Sequence, residues 1–370
     1  MTQRANTISS RARQVARLLA LGAVFCAVSA WGCSVPVFRY ALERWAADPY
    51  QAFVLHRGPL SAPDQSLVHE LEKAADTLHA NVSLRTVDVA QKSELLELAP
   101  PGKPLPWVVV KYPVATRLPG IVWSGPLGEA AQQLFDSPAR KEIVHRLAQG
   151  ESAVWVLLES GDPQKDDAAE QLLVSRLAYL LATLKLPKLD AQDVVNGLIS
   201  IPEADLRLEF SSLRISRTDP AEQAFVPMLL GTEADLKSAH QPIIFPVFGR
   251  GRALYALVGS GIKTETIDQA ATFLIGKCSC QVKEQNPGVD LLLAADWDSL
   301  IKTQFNPNLD LPTLAQLTND APVTVKIGTG EAQAAPPAAE GPAAFTGNRL
   351  IVVALAAGLL LASIFLWRRK

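Results

Sequence analysis

The sequence predicts an α/β protein: two tandem mixed-sheet, three-layer domains followed by a C-terminal transmembrane helix. Three observations carry this. The middle of the chain repeats one order of apolar runs and helical patterns. The start pairs a basic stretch with an apolar run. The last 23 residues hold an uncharged apolar segment ending in Arg368, Arg369 and Lys370.

Residues 1–33 read as a signal peptide or signal anchor. Arg4, Arg11, Arg13 and Arg17 precede an apolar run from Leu18 to Gly32, with no acid before Cys33. Such a run is short for a membrane span and suits a signal's hydrophobic region. Ala30-Trp31-Gly32-Cys33 resembles a bacterial lipoprotein cleavage box, which makes Cys33 a candidate for lipid attachment. Ala30 and Trp31 depart from that box, and an uncleaved anchor stays open beside it. At the other end, Leu350–Trp367 matches the length that crosses a core of about 30 Å. The basic tail that follows places that end in the cytoplasm by the positive-inside rule. Both termini therefore put the middle of the chain outside the inner membrane, in the periplasm.

The whole chain carries 35 Lys+Arg and 37 Asp+Glu, a balance of −2. The two terminal segments, 1–33 and 348–370, hold eight of the bases and no acid, which leaves 27 bases against 37 acids, or −10, between them. A body of that charge is repelled by phosphate backbones, so nucleic acid is excluded as a partner class. The expected partners are the membrane and a protein of the envelope.

Between the ends the same order occurs twice. "AFVLHRGPLSAPDQSLVHELEKAADTL" starts at Ala52 and "AVWVLLESGDPQKDDAAEQLLVSRLAYL" at Ala153. Each opens on a short apolar run, turns at Gly/Pro/Asp, and continues as a helix. Leu67, Leu71, Ala74, Ala75 and Leu78 share one face of the first helix; Leu172, Leu173, Leu177, Leu180 and Leu184 share one face of the second. One more strand follows in each copy, within "VSLRTVDVA" and "LRLEFSSLRIS". A hairpin comes next, from Trp107 through Val122 and over "QPIIFPVFGRGRALYALVG". A helix over 129–149, broken near Pro138, closes the first copy. "TIDQAATFLIG" closes the second, with Thr266 and Gln269 at capping-box spacing and Gly276 as C-cap. Val289–Ala294 reads as a further strand, 296–329 as an irregular extension, and 330–347 as an Ala/Pro/Gly-rich linker. The segment 35–50, with Val37, Tyr40, Ala41, Arg44 and Trp45, reads as a short amphipathic helix that lies on the membrane surface or packs on the first domain.

This order resembles the thioredoxin-like fold over residues 34–149 and 150–295, and Pro106 and Pro242 stand where that family has its cis-proline. The resemblance implies a Cys-x-x-Cys at the start of each first helix, where helix N–H groups stabilise a thiolate. The corresponding stretches, "RGPLSAPDQS" and "ESGDPQKDDA", contain no cysteine. Catalytic, cofactor and metal residues are therefore not expected there.

Cys278 and Cys280 in "GKCSCQVKEQNPG" remain, beside Cys26 and Cys33, as the chain's cysteines. Outside the cytoplasm they form a candidate disulfide, though a bridge between residues i and i+2 needs a bent backbone. Position after Gly276, at a helix C-terminus, disfavours a thiolate. Two thiols are half a zinc site, and no spaced partners complete it. "HELEK" at His69 lacks the second histidine of a zinc-protease helix, because Lys73 occupies it. Ser299 and Lys302 have Ser-x-x-Lys spacing without companion motifs. The glycines of "GRGRAL" lie between strands and not before a helix, so they bind no dinucleotide; Arg250 and Arg252 there read as a solvated turn or an anion contact. The function expected is a non-catalytic, membrane-anchored binding or scaffold protein, such as an accessory subunit of an envelope or transporter complex. The second reading is a thiol–disulfide oxidoreductase or metal carrier using Cys278 and Cys280.

Overall fold

The computed structural model of the chain describes residues 33–305 apart from 92, 129–133 and 279–281. The leader, the linker, the Leu350–Trp367 segment and Cys280 lie outside the described residues. No described helix is long and apolar enough to cross a membrane.

A short helix α1 (Val37–Arg44) comes first. The first half then runs β1 (Tyr50–His56), α2 (Ala62–Thr77), β2 (Val82–Asp88), a 3₁₀ turn over Ser93–Leu98, β3 (Trp107–Lys111), β4 (Ile121–Pro126) and α3 (Pro138–Ala148). The second half runs β5 (Ala153–Leu158), α4 (Pro163–Thr183), α5 (Ala191–Val195), β6 (Phe210–Ile215), α6 (Phe225–Leu230) and β7 (Ile243–Phe248). Short strands β8 (Arg252–Ala253) and β9 (Leu257–Val258), helix α7 (Thr264–Ile275), β10 (Val289–Asp290) and α8 (Trp297–Phe305) follow.

Helix starts follow from local chemistry. Ser61 Oγ accepts the Asp64 N–H at the head of α2, and Asp162 Oδ1 accepts those of Gln164 and Lys165 at the head of α4. Pro138, read from sequence as a break, opens α3 behind the cap residue Ser137. A proline's missing N–H costs nothing in the first turn of a helix. Thr266 likewise sits one turn inside α7, which begins at Thr264; its Oγ1 accepts the Lys263 N–H at 3.3 Å. The start of the extension expected to be irregular is helical in α8, where Asp296 accepts the Ser299 N–H at 3.1 Å.

Both sheets are mixed. The first has strand order β2-β1-β3-β4 and the second β10-β8-β7-β5-β6, with β9 also on β7. In each, the first two strands of the half pair in parallel, Tyr50 opposite Val82 and Ala153 opposite Phe210. The third is antiparallel to the first, Val54 opposite Val108 and Val156 opposite Phe245.

Alternation along the strands sorts side chains into three clusters. Ala52, Val54, Val108 and Val110 of the first sheet and Val154, Val156, Leu158, Phe245 and Val247 of the second belong to one shared core. Val68, Leu71 and Ala75 of α2, Ile143 and Leu147 of α3, Phe225 of α6 and Ile301 of α8 fill it. Ala153, Trp155, Leu157, Ile244 and Phe248 belong to a second core with α4, α7 and α1. Leu55, Val87, Val89, Ala99, Trp107 and Val109 form a small third cluster on the first sheet. The repeats thus do not each keep a private core, and all described residues fall in one compact unit.

Helix α1 departs from both expectations for it. Six of its eight residues, Val37 to Leu42, are buried. A helix so enclosed cannot lie on a surface, and Val37, Phe38, Tyr40 and Ala41 pack with Trp155 and Phe248 of the second half.

Candidate functional site

In each half the chain leaves its first strand through a glycine turn, and the two turns are held differently. Gly161 has φ +92°, a value that favours glycine. Its turn is closed from inside by buried Asp166, which accepts the N–H groups of Ser160 and Gly161 at 2.7 and 3.1 Å and the Ser160 hydroxyl at 2.8 Å. In the first half Gly58 has φ +67° and donates its N–H to Asp88 Oδ1 at 3.1 Å. N–H groups of Ala90 and Gly58 hold the Asp88 carboxyl below its usual range.

Beside that first turn lies a cleft of about 950 Å³, lined by Arg57, Glu97, Ala99 and the run Pro100 to Leu105. The Leu105–Pro106 peptide bond next to it is cis; the bond before Pro242 in the second half is not. Three turn prolines stiffen the wall and Gly102 takes its left-handed bend at φ +73°, while Arg57 and Lys103 place two cations and Glu97 one anion along it. The described lining supplies no thiol, hydroxyl or imidazole. Such a surface can hold an extended segment and a carboxylate.

The other candidates scatter. His69 and Lys73 are both exposed on α2. Ser299 donates its hydroxyl to Asp296 at 2.6 Å as part of the α8 cap, and Lys302 is exposed. Arg250 is half-buried: its Nε donates to the Leu42 carbonyl at 2.7 Å at the end of α1, and it pairs at the surface with Asp298. Arg252 is buried. It donates to Asp290 Oδ1 at 2.9 Å and to the carbonyls of Pro287 and Asn286.

Asp290 is the centre of a buried polar junction that sequence reasoning missed. Lys283 donates to its Oδ2, the Asp48 N–H donates to the same oxygen at 2.7 Å, and Lys283 also pairs with Asp48 at 2.9 Å. Tyr50 donates its hydroxyl to the Asp290 carbonyl at 2.8 Å, and burial pushes the Tyr50 phenol well above its usual pKa. The signal for this junction was one acid at the head of an apolar run, "VDLLLA".

Cys278 is fully buried, and across from it the structure places Cys33, 2% exposed. Cys280, expected as its partner, lies outside the described residues. No group of three or more His, Cys, Asp or Glu among the described residues is arranged to hold a metal. No protein-family model matches the chain, and no curated protein is significantly similar to it in sequence.

Proposed function

We propose that this chain is a non-catalytic binding or scaffold protein of the bacterial envelope. In this reading two tandem thioredoxin-like modules, without the family's cysteines, stand in the periplasm on a signal at 1–33 and a transmembrane helix at 348–370. The bulk serves a larger envelope or transporter complex as an accessory subunit. Support for the fold comes from the same strand order occurring twice, with the same parallel and antiparallel partners. Support for binding comes chiefly from one observation: the cleft beside Pro106, open at the place where a thioredoxin-like protein works, carries cations and a proline wall and no thiol. The oxidoreductase reading is weakened by the complete burial of Cys278, since a reactive thiolate needs access.

A photo-crosslinking residue at position 57 or 103, in cells carrying the full chain, tests this. The expected result is one discrete protein adduct from both positions, none from position 69, and loss of the adduct on charge reversal at the neighbouring cation. Absence of any adduct from the cleft positions, or reduction of insulin by the purified chain, overturns the reading.

A further inference from the structure

Cys33 and Cys278 are separated by most of the described chain, yet the backbone draws them together. The Cys33 N–H donates to the Cys278 carbonyl at 3.1 Å, and the Cys278 N–H donates to the Val35 carbonyl at 2.9 Å. The residues Cys33–Val35 thus hold both polar groups of the Cys278 peptide. One step further along, Pro36 bridges Lys277 in antiparallel sense and the Val37 N–H donates to the Gly276 carbonyl at 2.9 Å. In this register Val35 lies directly opposite Cys278, and Cys33 reaches Cys278 through the single bond from its own N–H to the Cys278 carbonyl.

The side chains meet as well. The two thiols hydrogen-bond to each other, and this contact, ahead of burial acting the other way, holds the Cys33 thiol below its usual pKa. Both belong to the second core with Val35, Tyr40 and Ile275. Ser34 between them and α5 is fixed too: its N–H and hydroxyl each donate to Asp193 Oδ2 at 2.6 Å.

We propose that Cys33 and Cys278 form a structural disulfide that fastens the strap over residues 33–45 to the C-terminal end of α7. The bond forms by exchange with a disulfide-bearing oxidant, an oxidised dithiol protein or glutathione disulfide. The two protein thiols lose two protons and two electrons and join as S–S; the donor's S–S opens and takes both up as two thiols. This rests on the periplasmic reading, because cytosolic thiol pools keep such pairs reduced. It excludes two other fates for the same sulfurs. A lipid thioether at Cys33 would have to leave a site 2% exposed, and a Cys278–Cys280 bond would take Cys33's partner.

The experiment uses the full chain from bacterial membranes, trapped with a maleimide in denaturant and digested without reduction. The expected product is a peptide pair joining Cys33 to Cys278, two hydrogens lighter than the sum of its parts, retained in Cys280→Ser and lost in Cys33→Ser. Reduction is expected to lower the unfolding midpoint by about 5 °C or more. A diacylglyceryl mass on Cys33, or a peptide joining Cys278 to Cys280, overturns the proposal. The same chain is also treated with glutathione disulfide after purification, and the location of residues 50–295 is read by external protease. A bond that forms in the tube but not in cells, with the domain shielded from protease, refutes the location alone. Failure to form in the tube refutes the disulfide.

Discussion

The two sheets share a strand order and differ in what covers them. The second is enclosed on both faces: the shared core on one, and on the other 28 buried residues drawn from its own strands, the strap, α4, α7 and nearby loops. The first shares the inner core, but its other face rests on only six buried residues among those described. The turns repeat the contrast. Asp166 seals the one after β5, while the one after β1 borders an open cleft. Duplicated architecture therefore comes with unequal cover: the second sheet is enclosed on both faces, and the outer face of the first carries few buried residues among those described.

The sharpest way to break this comparison is at Asp290. Its replacement by Ala leaves Lys283 and Arg252 buried, with lost partners, at the seam between β10 and the chain entering β1. Removing one member of a buried charge group costs about 3–5 kcal/mol, so chemical unfolding should shift strongly and remain a single transition. Two separated transitions would show that the halves do not share a core. Next comes Trp155→Ala, which empties a site of zero exposure in the doubly covered sheet; the expected loss is about 3–5 kcal/mol. Leu55→Ala on the thin face of the first sheet should cost less, about 2 kcal/mol, because thin cover can settle into the space. If Leu55→Ala proves the more damaging of the two, the asymmetry of cover is wrong.

Smaller effects separate support from surface. Reversing the neighbouring cation, Lys103→Glu with the crosslinker at 57 or Arg57→Glu with it at 103, should change stability by no more than about 0.5 kcal/mol, yet abolish the crosslinked adduct. Smallest is the acid response of the first turn. A carboxyl whose folded pKa is depressed stabilises above its ordinary range and stops doing so as pH falls through the folded value. Asp88 is such a group. NMR of the Gly58 and Ala90 amides should therefore stay unchanged through the ordinary aspartate range and shift below it; a shift within that range would deny the bonds.

Much of the element order was legible because it is written locally. Val154 to Leu158 and Trp107 to Val110 are apolar runs of strand length, and Leu71, Ala75, Leu173, Leu177 and Leu180 are indeed buried on their helices. Faces were less exact: Leu78 is exposed and Val68 buried, since the shared core meets α2 slightly rotated from the leucine row. Helix α8 escaped because its apolar positions, Trp297, Leu300 and Ile301, are too few to set a period. What could not be read was anything that pairs distant residues. Nothing near Cys33 announces Cys278, and nothing near Arg252 announces Asp290, because those contacts depend on where the strands fold back. The absence of cysteine from the two turns was plain from the letters alone, whereas the cleft beside one of them needed three dimensions.

The strap carries a consequence for how the protein is made. Ribosomes release the amino end first, but Phe38, Tyr40 and Trp45 have nowhere to sit until β7 and α7 exist. The earliest apolar residues of the body must therefore wait for nearly the last, and the polypeptide closes on itself like a ring. A fragment beginning at residue 150 would emerge with an oily trough along Phe248 and Ile275, and one ending at 149 would carry an orphaned aromatic helix; neither repeat is a self-sufficient piece to cut out.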